Sequence, residues 1–211
     1  MRVFVLCTGR SGSLSFVNAC KHIRNYTTSH ESLADVFGNE RFNFPDNHIE
    51  VDNRLSWSLG HLNKYFGDDA IYIHLKRDRD KTANSFFQRF YLPGSIIDAF
   101  CDGVRMNPVE KLSKKMRLKA CYDYVDTVNT NIEYFLLDKS KTMTINLETI
   151  EQDFPKFLEF INADIDLEKG IEELRKSHNS SFQRKLNLDY RVKLTIIREW
   201  RHLKMYFSKK S

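Results

Sequence analysis

Five short runs of apolar, aromatic or β-branched residues punctuate the chain: Val3–Cys7, Asn25–Ser29, His48–Asp52, Ala70–Lys76 and Thr142–Asn146. Each closes on a polar or glycine-containing turn, as strands do. Between them the apolar period lengthens to that of helices. Leu14, Val17 and Ile23 follow the first run, and Leu55, Leu59, Leu62 and Phe66 follow the third, stopped by Gly67-Asp68-Asp69. A long helix from about Glu110 to Leu137 carries Cys121, Val125, Val128, Ile132 and Phe135 on one stripe. Strands alternating with helices predict an α/β fold in a single domain over residues 1–211. Its central, mostly parallel five-stranded sheet is flanked by helices, and ligands bind at the carboxyl ends of the strands. The irregular stretch Leu92–Pro108, with turns at Pro93-Gly94 and Asp102-Gly103, reads as a lid. Beyond it, Phe154, Phe157, Leu158 and Ile161 recur at helical spacing. Ser177–Ser181 interrupts that pattern before a final helix with Ile196, Trp200, Leu203 and Phe207 on one face.

Composition narrows the class. Sixteen Phe and nine Tyr in 211 residues supply ample core, and four Pro and eight Gly, spread out, mark no linker. A net charge of +5 fits an anionic small ligand better than a nucleic acid, so no nucleic-acid partner is expected. Cys7, Cys20, Cys101 and Cys121 have neither C-x-x-C spacing nor paired histidines, which reads as buried thiols and no metal site. The apolar runs are too short to span a bilayer, and the first strand begins at Arg2 or Val3. A soluble, cytoplasmic protein without a membrane partner is therefore expected if the sequence is the full chain.

The chemistry concentrates after the first strand, in Thr8-Gly9-Arg10-Ser11-Gly12-Ser13-Leu14. A loop that opens a helix there can bind phosphate with backbone amides and the helix dipole, while Arg10 adds a full charge. Gly9 and Gly12 let the backbone come close to an anion. The nucleotide kinase motif G-x-x-x-x-G-K-[ST] does not fit, since the glycines are three apart and Ser13-Leu14 stands where Lys-Ser/Thr would follow.

Arg10-Ser-Gly-Ser13 instead resembles the 5′-phosphosulfate loop of sulfotransferases, [K/R]-S-G-T-T. A second segment carries the resemblance further. The fourth strand runs into Arg77-Asp-Arg-Asp-Lys-Thr-Ala-Asn-Ser85, similar to the family's strand-end arginine and R-[D/N]-P-x-[D/E]-x-x-x-S helix start. Arg79 stands where the family usually has proline, and Asn146-Leu-Glu-Thr-Ile150 resembles its [Y/N]-E-D-L segment, with Glu148 structural. The resemblance implies a P-loop-nucleotide-hydrolase-like fold of the sulfotransferase type. It also implies transfer of a sulfuryl group from 3′-phosphoadenosine-5′-phosphosulfate to a hydroxyl or amine, leaving adenosine 3′,5′-bisphosphate without help from a metal.

On that resemblance Thr8 to Leu14 hold the 5′-phosphate, Arg10 acts on the bridging oxygen, and Arg77 and Ser85 bind the 3′-phosphate. Glu31, just after the second strand, matches the family's glutamate base, with His30 beside it as substrate contact or alternative base. Asn53 and Arg54, at the carboxyl end of the third strand, are candidates for acceptor contact. The family's closing motif R-K-G-x-x-G-x-W is missing. Arg184-Lys185 stands in that region, where nine Lys and Arg face Asp189 and Glu199 between Arg184 and Lys210, and Arg184 is the candidate for cofactor contact there. Leu14 replaces a hydroxyl residue of the family loop, a loss that Ser13 or Ser15 could offset. A non-catalytic module that binds nucleotide or sulfated glycan is therefore the alternative, and a kinase-like phosphotransferase ranks below it.

Overall fold

The structure, a computed structural model, describes residues 1–90, 92, 94–176, 192, 196 and 200. Its contacts divide the chain into two compact units, Met1–Thr82 with Val125–His178, and Ala83–Tyr124 with Asn179–Ser211.

The first unit holds the sheet. β1 (Arg2–Leu6), β2 (Thr27–His30), β3 (His48–Val51), β4 (Ala70–Lys76) and β5 (Thr142–Asn146) lie in the order β2-β3-β1-β4-β5, and every neighbouring pair is parallel. Each strand falls within two residues of its apolar run. Val3 to Leu6 are fully buried, as a central strand covered on both faces requires. One face packs under α1 (Ser13–Cys20), α6 (Ile150–Phe160) and α7 (Leu167–Arg175), where Phe16, Phe154 and Phe157 have ring centroids 5.1 to 6.0 Å apart. On the other face Phe4 meets Phe44, Phe66 and Tyr72. A fully buried ring such as Phe4, Phe16, Phe154 or Phe157 contributes about 1.5–3 kcal/mol relative to exposure.

The helix expected over Leu55–Phe66 is two elements, a 3₁₀ turn at Asn53–Trp57 and α2 (Leu59–Phe66). The break comes from Asp52, whose carboxylate accepts from the Arg54 amide at 2.7 Å and winds the following turn tightly. Gly67, at φ +46°, ends α2 as expected.

In the second unit Phe86 and Phe100 stand edge-on to Tyr124 at 5.0 and 5.4 Å, beside buried Ile97, Cys101 and Cys121. The chain enters this unit along α3 (Arg79–Phe87) and leaves along α5 (Lys114–Leu136). The stretch read as irregular contains α4 (Ile96–Ala99) and a π turn over Phe100–Val104. Ser95 accepts from the Asp98 amide while Asp98 accepts from the Gly94 amide, a reciprocal cap that starts the helix. α5 begins four residues later than expected because a 3₁₀ turn fills Val109–Lys111 and Ser113 then accepts from Met116 N. Of the final helix, only Val192, Ile196 and Trp200 are described, each helical and exposed; Arg184, Leu203, Phe207 and the Ser177–Ser181 break lie outside the described residues. No described helix is long and apolar enough to cross a membrane.

His74 on β4 is buried, with Nε2 3.1 Å from Asn129 Oδ1. Burial pushes its pKa down from 6.5 to about 4, against the Asn129 hydrogen bond and with a smaller push from Lys76. The unfolded chain takes up this proton near pH 6.5 and the folded chain only near 4. Stability is therefore complete above that window and falls as pH drops through it. Chemical denaturation of His74→Gln between pH 7 and 4 should show a shallower acid loss than wild type, by at most about 3 kcal/mol.

Candidate functional site

At the carboxyl end of β1 the chain turns through Cys7 to Gly12 into α1. Three of these residues, Gly9 (φ +76°), Arg10 (+59°) and Gly12 (+85°), are left-handed. Glycine adopts this backbone freely, whereas Arg10 does so at a cost of about 1–2 kcal/mol, so its surroundings must hold it there. They do so from several sides. Arg77 Nη1 donates to the Arg10 carbonyl at 2.9 Å. Asn53 lies against Gly9, where an added Cβ would fall 2.9 Å from its Nδ2, and Leu147 lies against Gly12, where a Cβ would fall 2.5 Å from its Cδ1. Thr8 is buried and donates from Oγ1 to the Gly9 carbonyl at 2.8 Å.

The loop's polar groups point to an anion. α1 has no side-chain cap and no acid in its first turn, so the amides at its start keep their positive end of the helix dipole unanswered by side chains. Among the described residues Ser11 Oγ is buried with no well-formed hydrogen bond, and only the Cys7 thiol interacts with it. Its sulfur neighbour, the Cys7 thiol, is pushed up to about 11 by burial and stays protonated, so it is no nucleophile. An uncapped helix start, two close-approach glycines and a buried hydroxyl whose one neighbour is a weakly bonding thiol fit a phosphate or sulfate group. Ser13 Oγ sits 3.2 Å from His30 Nε2, while Ser15 Oγ donates to the Lys176 carbonyl at 3.3 Å. Ser15 is thus already engaged.

Glu31, at φ +52°, closes β2, and its amide donates to Val51 O at 3.1 Å. Asn53 Nδ2 donates to Glu31 Oε1 at 3.0 Å, and Arg54 Nη1 pairs with Glu31 Oε2 at 2.5 Å. The carboxylate only accepts, which fixes the Asn53 amide orientation and leaves its buried Oδ1 without a partner among the described residues. Asn53 therefore touches both the glycine loop and the acid. His30, Glu31, Asn53, Arg54, Arg10 and Arg77 are gathered around the carboxyl ends of β1 to β4. Ser85 is buried in α3, within the second unit, and Arg184 lies outside the described residues.

Several contributors had no local signature. Asp52 is buried and bonded to Arg41 Nη2 as well as to the Arg54 amide; burial lifts its carboxyl above the ordinary range despite both donors. Ser56 Oγ donates to the Cys7 carbonyl at 3.1 Å. Leu147 underlies Gly12, and the next residue, Glu148, accepts from the Asp78 amide at 3.1 and 3.2 Å, the structural role expected of it. Only the alternation His48, Glu50, Asp52 in a strand buried on both faces signalled that β3 carries buried polar groups. Among the described residues no three His, Cys, Asp or Glu gather as a metal site.

An all-parallel α/β sheet with a glycine-containing loop and an uncapped helix start after its central strand is the frame of a broad class of nucleotide-binding folds. Within it, the chain has the fold of a sulfotransferase. It superposes on mouse sulfotransferase SULT7A1, solved as a complex with PAP, with a TM-score of 0.55 and 15% sequence identity, covering 88% of this chain and 67% of that one. No family model and no curated protein sequence matches it.

Two glycines should respond oppositely to alanine. Gly12→Ala meets both a left-handed φ and Leu147, and should lower stability by about 1–3 kcal/mol, read as a lower denaturant midpoint at unchanged slope. Gly60→Ala, in α2 with open space around it, should raise stability by up to about 1 kcal/mol.

Proposed function

We propose that the protein is a sulfotransferase, moving a sulfuryl group from 3′-phosphoadenosine-5′-phosphosulfate to a hydroxyl or amine of an acceptor. The observation that carries this reading is the junction at Asn53, which joins the Glu31 carboxylate to the glycine loop at the end of the central strand. In this reading Glu31 is the proton acceptor and the loop is the anion cradle, the two functions that in-line sulfuryl transfer requires.

The donor, when bound, supplies the sulfuryl group and leaves as adenosine 3′,5′-bisphosphate. The amides from Ser11 to Leu14 and the buried Ser11 hydroxyl hold its 5′-phosphate, with Ser13 and Thr8 shaping the loop. Arg10 places positive charge where the bridging oxygen becomes anionic. Arg77 gives one N–H to the Arg10 carbonyl and directs its remaining donors to the 3′-phosphate. The role expected of Ser85 rests on its eight-residue spacing from Arg77. Glu31, with one oxygen toward Asn53 and the other toward Arg54, retains lone pairs to take the acceptor's proton. Asn53 Oδ1 and the His30 ring are the groups that orient the acceptor.

A second reading, a module that binds nucleotide without turnover, is favoured by one observation. Leu14 brings no hydroxyl, and Ser15 is bonded to Lys176, so the loop lacks a donor that the family motif supplies. Release of bisphosphate from labelled donor over a panel of acceptors separates the two readings.

Glu31→Gln should lower turnover by about 10²–10⁴-fold and leave bisphosphate affinity nearly unchanged, because it removes the proton acceptor and keeps the shape. Near-normal turnover removes Glu31 from the chemistry and directs attention to His30.

Calorimetric titration should show adenosine 3′,5′-bisphosphate binding at least about 10²-fold tighter than 5′-AMP, since hydrogen bonds to a charged group contribute about 1.5–3 kcal/mol each. Arg77→Ala should shrink that gap. It should also weaken AMP somewhat, because Arg77 holds the loop through Arg10 as well. Equal wild-type affinities for the two nucleotides would overturn the sulfotransferase reading.

A further inference from the structure

Glu50, in the middle of β3, has no exposed surface, yet no Lys or Arg pairs with it among the described residues. Three donors satisfy it instead. Ser32 gives its amide to Oε1 at 2.8 Å and its hydroxyl to Oε2 at 2.6 Å, and His48 Nε2 lies 3.0 Å from Oε2. Since the ionised carboxylate only accepts, His48 carries a proton on Nε2, and its Nδ1, 2.8 Å from Thr27 Oγ1, accepts from that hydroxyl when the ring is neutral. Burial pushes the Glu50 carboxyl up, but the His48 and Ser32 bonds together outweigh it and hold the group below its ordinary value. Both carboxylate oxygens thus grip a single residue, and that residue immediately follows Glu31.

Glu31 is left-handed at φ +52°, a backbone that a side-chain-bearing residue keeps only under restraint. Its amide is bonded to Val51 on one side, and Ser32 is clamped by Glu50 on the other. Asn53 and Arg54 fix the carboxylate, but they act on its tip and do not set the backbone that carries it. We infer that Glu50 is the positioning residue of Glu31: through Ser32 it locks the left-handed turn that presents the Glu31 carboxylate beside the glycine loop. This rests on the reading of Glu31 as the base, whereas the lock itself can be measured without catalysis.

The test uses Glu50→Leu, which removes both acceptors at similar volume, and Ser32→Ala in the full chain, with amide hydrogen exchange and steady-state kinetics. In Glu50→Leu the residue 32 amide should exchange about tenfold faster or more, while amides in the middle of β1 stay protected. Turnover should fall about tenfold or more at an unchanged donor KM, because the base is displaced while the cradle is intact. Ser32→Ala keeps the backbone bond to Glu50 and loses only the hydroxyl, so its residue 32 amide should remain largely protected and its turnover should fall less. It also serves if Glu50→Leu fails to fold. In that case a Ser32→Ala protein with the residue 32 amide exposed as freely as a loop amide overturns the clamp. Unchanged residue 32 exchange in a folded Glu50→Leu overturns it too, and so does faster exchange with full turnover. If the wild type transfers nothing to any acceptor, the sulfotransferase reading fails on its own, and residue 32 exchange still decides whether Glu50 locks the turn.

Discussion

Left-handed backbone in the loop after β1 is the constraint on which the site depends. Arg10 would leave that conformation for about 1–2 kcal/mol of relief if nothing opposed it. It is opposed by contacts from three distant parts of the chain: Asn53 after β3, Arg77 after β4, and Leu147 after β5. Each of these follows a strand, and the order β2-β3-β1-β4-β5 brings all their carboxyl ends to the edge that carries the loop. The parallel sheet therefore does more than bury apolar residues. By placing β1 in the middle, it surrounds one strained loop with side chains from both flanks, as expected where the strand order reverses.

β3 shows what this arrangement costs. His48 and Glu50 on one face of the strand, and Asp52 just after it, are buried, both acids fully. A well-packed apolar strand would often be at least as stable, because taking carboxylates out of water costs several kcal/mol before their partners offset it. What the acids do instead is organise two turns. Glu50 holds Ser32 after β2, and Asp52 holds the Arg54 amide and Arg41 after β3. Those turns carry Glu31, Asn53 and Arg54, which bond to one another, with Asn53 lying against the glycine loop. Burial is part of how they work, since a solvent-exposed acid would grip the same amides more weakly.

The strands and the first loop were legible because their signals are local: an apolar run ending in Gly, Arg and Ser needs no distant partner to be recognised. Glu31, Asn53 and Arg54 were each legible by place, but their mutual contacts were not, because Glu31 and Asn53 are 22 residues apart and meet only once β2 and β3 pair. Helix ends depart from the apolar period where a side chain redirects the backbone. Asp52 turned the start of the Leu55–Phe66 pattern into a 3₁₀ turn, and Ser95 with Asp98 began a helix inside a segment whose glycines suggested only turns. Periodicity records which face is apolar and is silent on where the hydrogen-bond ladder stops. Leu147 could not be found at all from the sequence, since an apolar residue after a strand gives no sign that a glycine lies above it.

Arg79 shows how a departure from the family pattern is absorbed. Proline at this place would stiffen the turn between β4 and α3 through its fixed φ. Here Arg79 instead donates from Nε and Nη2 to the two oxygens of Asp126, both at 2.6 Å, and its hydrogen bonds hold that carboxyl below its ordinary range. Both side chains are about half exposed, so the pair contributes at most about 1 kcal/mol of stability. Its value is directional, because a planar fork on a carboxylate fixes orientation more tightly than a single bond does. Two further acids complete the restraint. Glu148 accepts from the Asp78 amide, and Asp78 accepts from the Lys81 amide at 2.8 Å. The turn that proline would have stiffened covalently is thus held by three carboxylates. That is sufficient to keep Arg77, one residue before it, within reach of the Arg10 carbonyl.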